Sequence, residues 1–146
     1  MLDDLTPLLY RLHAATTWFL LGLIWFVQVV HYPLMRSVGS GHFREYERLH
    51  RSRTTFLTLP AMLLELLLAI AILILAHRNG DAIVLSWIAM ALLLVAWAST
   101  FGLQMPLHRE LTKGFNRNAW QWLVITNLVR TLAWTARGAI ALFLLR

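Results

Sequence analysis

The last apolar segment of the chain, residues 119–145, carries two arginines inside a stretch that otherwise has the composition of a membrane span. Asn127, Arg130, Trp134 and Arg137 follow one another at helical spacing and lie within an arc of about 80° on a helix. An arginine keeps its charge, which costs at least about 2.5–3.5 kcal/mol at the centre of a membrane helix. We therefore expect the other helices to turn polar groups towards this stripe.

Glu65 is the carboxylate that we expect to face this row of polar residues on the last helix. It lies about eleven residues into the second apolar run, at a depth of roughly 16 Å, and Arg130 lies at a matching depth in the last run. We predict that Glu65 and Arg130 approach each other, and that with Asn127 and Arg137 they form the catalytic set. Such groups can orient a substrate oxygen or relay protons. A conducting path for protons or anions, and an ion pair that only fixes helix register, are the alternatives.

Four histidines fall at or near one predicted face of the protein, and Glu47-x-x-His50 places a carboxylate and an imidazole one helical turn apart. This spacing occurs in carboxylate-bridged di-metal bundles, and its nitrogen and oxygen ligands suit iron, copper or zinc. The predicted metal ligands are His31, His42, Glu47, His50 and His108.

A single ion held by His31, His50 and His108 is one form of this site, and a two-metal site is another. A haem bound by two of the histidines is the third. The residues predicted to contact the cofactor are His31, His108, Tyr32 and Trp134.

The elements that must position these groups are four long apolar runs in a chain of 146 residues, of which 59% are hydrophobic and 14% charged. Each run exceeds the length of about 20 residues that crosses a bilayer. The sequence therefore predicts an all-α integral membrane protein, a single four-transmembrane-helix bundle over residues 1–146. The predicted spans are about 8–31, 54–76, 82–105 and 119–145.

Two further features refine this prediction. Phe43, Tyr46 and His50 share one face of a segment at about 41–51, which predicts an amphipathic cytoplasmic loop helix between spans one and two. Pro33 and Pro106 are expected to end spans one and three, because proline disfavours a helical conformation in the residue before it.

The net charge of +6 is concentrated in the loops after spans one and three. By the positive-inside rule both loops are cytoplasmic and both termini lie outside, as in a multi-pass protein of the bacterial inner (plasma) membrane. This placement explains the positive charge without a nucleic-acid partner. The chain has no cysteine, which excludes disulfides and thiolate metal sites. Membrane lipid, a lipophilic small molecule and further copies of the chain in a homo-oligomer are the expected partners.

Several segments together resemble a set of short bacterial four-span membrane proteins, and the likeness covers nearly the whole chain. In size and layout the chain is also similar to the anthrone-oxygenase-like four-span family. That similarity implies oxidation of an aromatic, polyketide-like substrate, but it assigns no role to individual residues. The segments that carry the first resemblance are 25–33, 43–50, 60–65, 106–108 and 127–137.

The function predicted from these features is a small membrane oxidoreductase that depends on a metal or haem and acts on a lipophilic substrate. A transporter or proton channel that uses Glu65, Arg130 and Arg137 is the main alternative. A non-catalytic membrane subunit is the third.

Overall fold

The structure is a computed structural model that describes the backbone of residues 2–145 and the side chains of residues 5–145. The described part consists of helices joined by short turns. The helices are α1 (Leu2–Phe26), a π-helical segment (Val27–His31), α2 (Tyr32–Met35), α3 (Phe43–Asn79), α4 (Ile83–Ser99), a second π-helical segment (Thr100–Gln104), α5 (Met105–Leu111) and α6 (Arg117–Leu144).

These elements form four antiparallel helical rods around one core. Helices α1 and α4 each pack against both α3 and α6, so α1 faces α4, and α3 faces α6, across the diagonal of the bundle. The all-helical prediction is confirmed. Three of the rods, Leu5–Met35, Phe43–Asn79 and Ile83–Leu111, are long and apolar enough to cross a membrane.

Pro33 and Pro106 do not end their rods, contrary to the sequence-based prediction. In each case a five-residue π-helical segment ends two positions before the proline, which becomes the second residue of the next α-helix. Proline clashes with the carbonyl four residues earlier, and the wider π-helical turn relieves this clash locally. The chain therefore stays helical as far as Met35 and Leu111.

The loop helix predicted at about 41–51 is not a separate element. It forms the N-terminal part of α3, which continues without a break for 37 residues. The residues between Arg51 and Phe56 include neither glycine nor proline, so nothing in this stretch ends the helix. One rigid helix therefore carries both Glu47 and Glu65.

Gly138 of α6 sets the approach of this helix to α1. A Cβ at this position would lie 2.8 Å from Cδ2 of Leu21, and the Trp18 ring lies directly beside it. Nε1 of Trp18 also donates a hydrogen bond to the carbonyl oxygen of Gly138 at 3.2 Å. The absence of a side chain therefore lets α1 and α6 pack closely, as small residues do in membrane helices.

The substitution Gly138→Leu is expected to destabilise the protein by about 1–3 kcal/mol, because the new side chain must displace Leu21 or Trp18. The matched control is Gly22→Leu, at a position on α1 with no atom within 4 Å of an added Cβ. Chemical or thermal unfolding in mild detergent would measure both changes. Equal effects of the two substitutions would contradict the packing described here.

Candidate functional site

A cavity with a volume of about 230 Å³ opens between α1, α3, the second π-helical segment and α6. It exceeds the apolar cavities of about 150 Å³ that hold benzene, so it has room for a ring with substituents. One part of the wall is apolar, formed by residues such as Leu20, Ile24, Leu59, Met62 and Phe101. The polar part is formed mainly by Tyr32, His50, Arg51, Thr100, Gln104, His108 and Arg130.

A chain of three hydrogen-bonded side chains forms one side of the polar end. The hydroxyl group of Tyr32 lies 2.9 Å from Nε2 of His108, and Nδ1 of His108 lies 2.6 Å from Oε1 of Glu47. Tyr32 is 2% exposed and Glu47 is fully buried. With the proton of His108 on Nδ1, the ring donates to Glu47 and accepts from Tyr32, so all three groups are connected for proton transfer.

Glu47 is held behind this chain by its position on α3 and does not line the cavity. Its Oε1 atom is bonded to His108, and its Oε2 atom is buried without a hydrogen-bond partner among the described residues. A carboxylate in this setting orients the imidazole and stabilises the positive charge that His108 acquires when it takes a proton. The role of Glu47 is therefore to position His108 and adjust its basicity.

Arg130 lies beside the Tyr32 hydroxyl group. Its Nε and Nη2 atoms both donate to Oδ1 of Asn127, its Nη1 atom donates to Oγ1 of Thr100 at 3.2 Å, and Nη2 lies 3.4 Å from the Tyr32 oxygen. Asn127 is itself fixed, since its amide nitrogen donates to Oε1 of Gln28 at 2.7 Å. The arginine is 9% exposed and, within the described part of the chain, forms no ion pair.

Four of the five N–H groups of this guanidinium are therefore committed to neutral oxygen atoms, and one N–H of Nη1 is left over. Its full positive charge stays on the wall of the cavity. An oxygen atom of a bound molecule that gains negative charge would meet both this charge and the free N–H group.

His50 lies beside His108 at the polar end, with the two ring centroids 5.1 Å apart. Its Nδ1 atom lies 2.9 Å from Nε2 of His31 and 3.1 Å from Oγ1 of Thr54, and the two imidazole rings stack with centroids 4.4 Å apart. The hydroxyl group of Tyr46 lies 3.3 Å from the same His31 nitrogen. When the Nδ1–H of His50 donates to His31, the Nε2 atom of His50 keeps a free lone pair. Its ring centroid is 6.4 Å from that of Tyr32.

Glu65 does not pair with Arg130, so that prediction was wrong. Its Oε1 atom accepts hydrogen bonds from Nε of Arg137 at 3.0 Å and from Thr17 at 2.9 Å, and it forms an ion pair with Nη2 of Arg137 at 2.9 Å, while Oε2 accepts from Trp134 at 3.0 Å. Counted from residues 54 and 119, Glu65 and Arg130 have the same depth, but α3 and α6 are shifted along each other so that Glu65 lies beside Arg137, about two turns beyond Arg130. Arg137 also donates to the carbonyl oxygen of Ala89.

The Glu65–Arg137 pair joins α3 to α6 across the diagonal of the bundle, and both side chains are buried. Both carboxylate oxygen atoms of Glu65 accept hydrogen bonds, as a buried carboxylate requires. These contacts are those of a pair that fixes the register of the helices. Glu65 and Arg137 lie outside the cavity wall, whereas Arg130 and Trp134 form part of it.

Removal of either partner of this pair is expected to cost about 3–5 kcal/mol, because it leaves a buried charge without compensation. In a double-mutant cycle, Glu65→Ala and Arg137→Ala should be non-additive by more than about 1 kcal/mol. The exposed pair Glu110 and Lys113 provides the control, since a surface pair contributes less than about 1 kcal/mol. Additive effects at Glu65 and Arg137 in unfolding measurements would rule out the pair.

The predicted metal ligands are brought together only in part. His31, His50 and His108 lie side by side, with the rings of His50 and His108 5.1 Å apart, and Glu47 lies behind them. His42 is exposed at the start of α3. No group of three or more His, Asp or Glu side chains in the described part of the chain is arranged to hold a metal ion.

The reason for this is visible in the hydrogen bonds. Both nitrogens of His108 are occupied, by Tyr32 and Glu47, and the facing nitrogens of His31 and His50 are in direct contact. That contact also leaves no room for a haem iron between the two rings. In this arrangement the imidazoles bond to protein groups, so we derive no chemical step that passes through a metal or haem.

Three of the polar cavity residues that lie outside the predicted site contact or neighbour the residues used below. Thr100 and Gln104 belong to the polar face of span three, and Arg51 follows His50 directly. The π-helical segment that turns Thr100 and Gln104 towards Arg130 and Thr126 has no clear signal in the sequence beyond the proline after it. Arg51 could have been found from the extension of α3, which puts Arg51 and Thr55 one turn apart.

Comparison of the chain with models of protein families, with curated proteins and with solved structures finds no match in any of the three. The two resemblances given above therefore stay predictions from the sequence. The function has to be argued from the chemistry of the cavity.

Proposed function

We propose that this protein is a membrane-embedded enzyme that binds a lipophilic carbonyl compound in the cavity and transfers a proton at the carbon next to the carbonyl group. The observation that carries the proposal is that Tyr32, His50 and Arg130 meet at the polar end of an otherwise largely apolar cavity. An acid, a base and a cation within reach of one bound molecule are what such a reaction requires.

The membrane location is part of the proposal. Three rods are apolar enough to cross a bilayer, and α6, with 28 residues, is long enough to be the fourth. Large apolar side chains stay exposed along the outside of the bundle, among them Phe56, Leu67, Val84, Trp122 and Leu132. Contact with lipid tails would cover this surface, and the basic loops favour the bacterial inner membrane with both termini outside.

The base in this reaction is His50. Its Nδ1–H donates to His31, so its Nε2 lone pair can accept the proton that leaves the substrate carbon. The electron pair of the broken C–H bond moves onto the carbonyl oxygen and forms an enolate. The proton can return to the same carbon, which exchanges or inverts that centre. Where a carbon–carbon double bond is conjugated with the enolate, the proton can instead return to the far end of the conjugated system, which gives an isomer of the substrate with no net oxidation.

Tyr32 and Arg130 stabilise the enolate oxygen. The Tyr32 hydroxyl group turns from Nε2 of His108 to donate a hydrogen bond to this oxygen, while His108 stays bonded through its Nδ1–H to the carboxylate of Glu47. The free N–H of Arg130 and its charge oppose the negative charge that develops. Asn127 and Thr100 hold Arg130 in place before the substrate binds, and Arg130 in turn contacts the Tyr32 oxygen; such preorganisation is the condition for effective stabilisation of the transition state.

The proposal can be tested with 2-tetralone, an enolisable bicyclic ketone, in heavy water. The wild-type protein in nanodiscs should accelerate exchange of the protons next to the carbonyl group, followed by nuclear magnetic resonance. Tyr32→Phe and His50→Gln should each reduce the accelerated rate by about 100-fold or more, the usual contribution of a general acid or base.

Tyr46→Phe is the matched control, because it removes the neighbouring hydroxyl group, which contacts His31 but does not line the cavity. This variant should keep the rate within a few-fold of the wild type. If wild-type protein and empty nanodiscs exchange 2-tetralone at the same rate, or if Tyr46→Phe is as slow as Tyr32→Phe, the assignment fails.

A metal- or haem-dependent oxidoreductase is the second candidate, and one observation favours it. Oε2 of Glu47 is buried without a partner beside His108, a position where a cation would compensate its charge. To bind an ion there, His108 would have to exchange its contact with Tyr32 for the metal. The other ligands would be His31 and His50.

This candidate predicts about one transition-metal ion or haem per chain in protein purified without chelators. The content should fall on His31→Ala and stay unchanged on His77→Ala, which removes an exposed histidine at the other end of α3. Elemental analysis and the visible spectrum would decide. Colourless, metal-free protein that binds 2-tetralone would exclude this candidate and leave the proton-transfer enzyme.

A further inference from the structure

Arg51 is a cation on the cavity wall, and its charge acts through space on the carboxylate of Glu47. It is partly buried on α3 and lines the cavity next to His50. Within the described part of the chain its guanidinium takes part in no hydrogen bond or ion pair. Glu47, one turn earlier on α3, is bonded to His108. The guanidinium therefore stays available to a bound molecule.

The charge of the cavity wall as a whole is positive. The described residues that form it include two arginines, Arg51 and Arg130, and no carboxylate. In the proposed reaction Arg130 is used for the enolate oxygen. The charge of Arg51 is left without a role in that reaction.

The position of Arg51 along the bundle indicates what it meets. It lies in the N-terminal part of α3, at the end of the bundle that carries the basic loops, whereas the apolar wall around Leu20 and Met62 lies deeper. An amphiphilic molecule in a membrane keeps its charged group at the water interface and its apolar body in the hydrocarbon. A molecule oriented in this way would place an ionised group at Arg51 and its body in the cavity.

We propose that the substrate is a lipophilic carbonyl compound that also carries an acidic group, most simply a carboxylate, and that Arg51 binds this group at the cavity mouth. This inference rests on the function proposed above and specifies its substrate class. The guanidinium matches a carboxylate with two parallel hydrogen bonds. Thr55, one turn further along α3 and also on the wall, offers a hydroxyl group to the same anion.

The test compares 2-naphthoate with 2-naphthamide, which share the aromatic body but differ in charge. Binding is measured by equilibrium dialysis against the protein in phosphatidylcholine nanodiscs, with empty discs subtracted. The wild type is expected to bind naphthoate about 10-fold more tightly than naphthamide, or better, because hydrogen bonds to charged groups are the stronger ones. Arg51→Gln should reduce this preference to near unity.

Arg53→Gln is the matched control. It removes the same charge two residues away on α3, from an exposed side chain that does not line the cavity, so it should keep the preference. Loss of the preference in both variants would show that only the overall surface charge matters, and would overturn the assignment of Arg51. An undiminished preference in Arg51→Gln would overturn it as well.

The two proposals fail in different ways. If naphthamide binds as tightly as naphthoate and 2-tetralone exchange is accelerated, the enzyme stands and the acidic substrate is excluded. If neither compound binds and exchange is not accelerated, the proposed function itself fails. Displacement of naphthoate in discs that contain phosphatidylglycerol would assign Arg51 to lipid headgroups instead of a substrate.

Discussion

Two guanidinium groups lie inside a bundle whose other contents are mostly apolar, and this constraint governs most of the polar contacts in the interior. Neither Arg130 nor Arg137 can lose its charge, so each must be supplied with acceptors from other helices. Arg137 receives them from Glu65, His13 and the backbone at Ala89. These contacts link α6 to each of the other three rods, and they fix how the rods sit along one another.

The charges of the two arginines are compensated in different ways, and this difference indicates a structural role for Arg137 and a role in the proposed reaction for Arg130. Arg137 has a carboxylate, is 1% exposed and lies away from the cavity. Among the described residues, the partners of Arg130 are the oxygen atoms of Asn127, Thr100 and Tyr32, and it lines the cavity. A cation matched only by neutral oxygen atoms is held in place but not neutralised. It therefore stays able to stabilise an anion, which is why the proposed chemistry is placed at Arg130.

The sequence was sufficient for the periodic features and insufficient for the pairings. The helical content and the single bundle follow from the four long apolar runs. The burial of Asn127, Arg130, Trp134 and Arg137 follows from their helical spacing within the last run. The partner of Glu65 depends on the relative shift of α3 and α6, and a shift of two turns replaces one arginine by another. That shift is set by the packing of the whole bundle, in which α1 and α4 lie between α3 and α6, and no local pattern encodes it.

The prolines show most clearly how local rules and tertiary structure combine at the site. The sequence predicts that Pro33 and Pro106 end their helices, but a π-helical turn before each proline lets its helix continue, and both turns lie at the polar end of the cavity. The first turn leads directly into Tyr32, and the second contains Thr100 and Gln104. If the extra residues of the π-helical turn were absent, the residues that follow would point in a different direction, rotated about the helix axis by about 100° for each residue removed. The wider turns therefore both accommodate the prolines and direct Tyr32, Thr100 and His108 towards Arg130, so that the sequence feature expected to end the helices instead aims their side chains into the site.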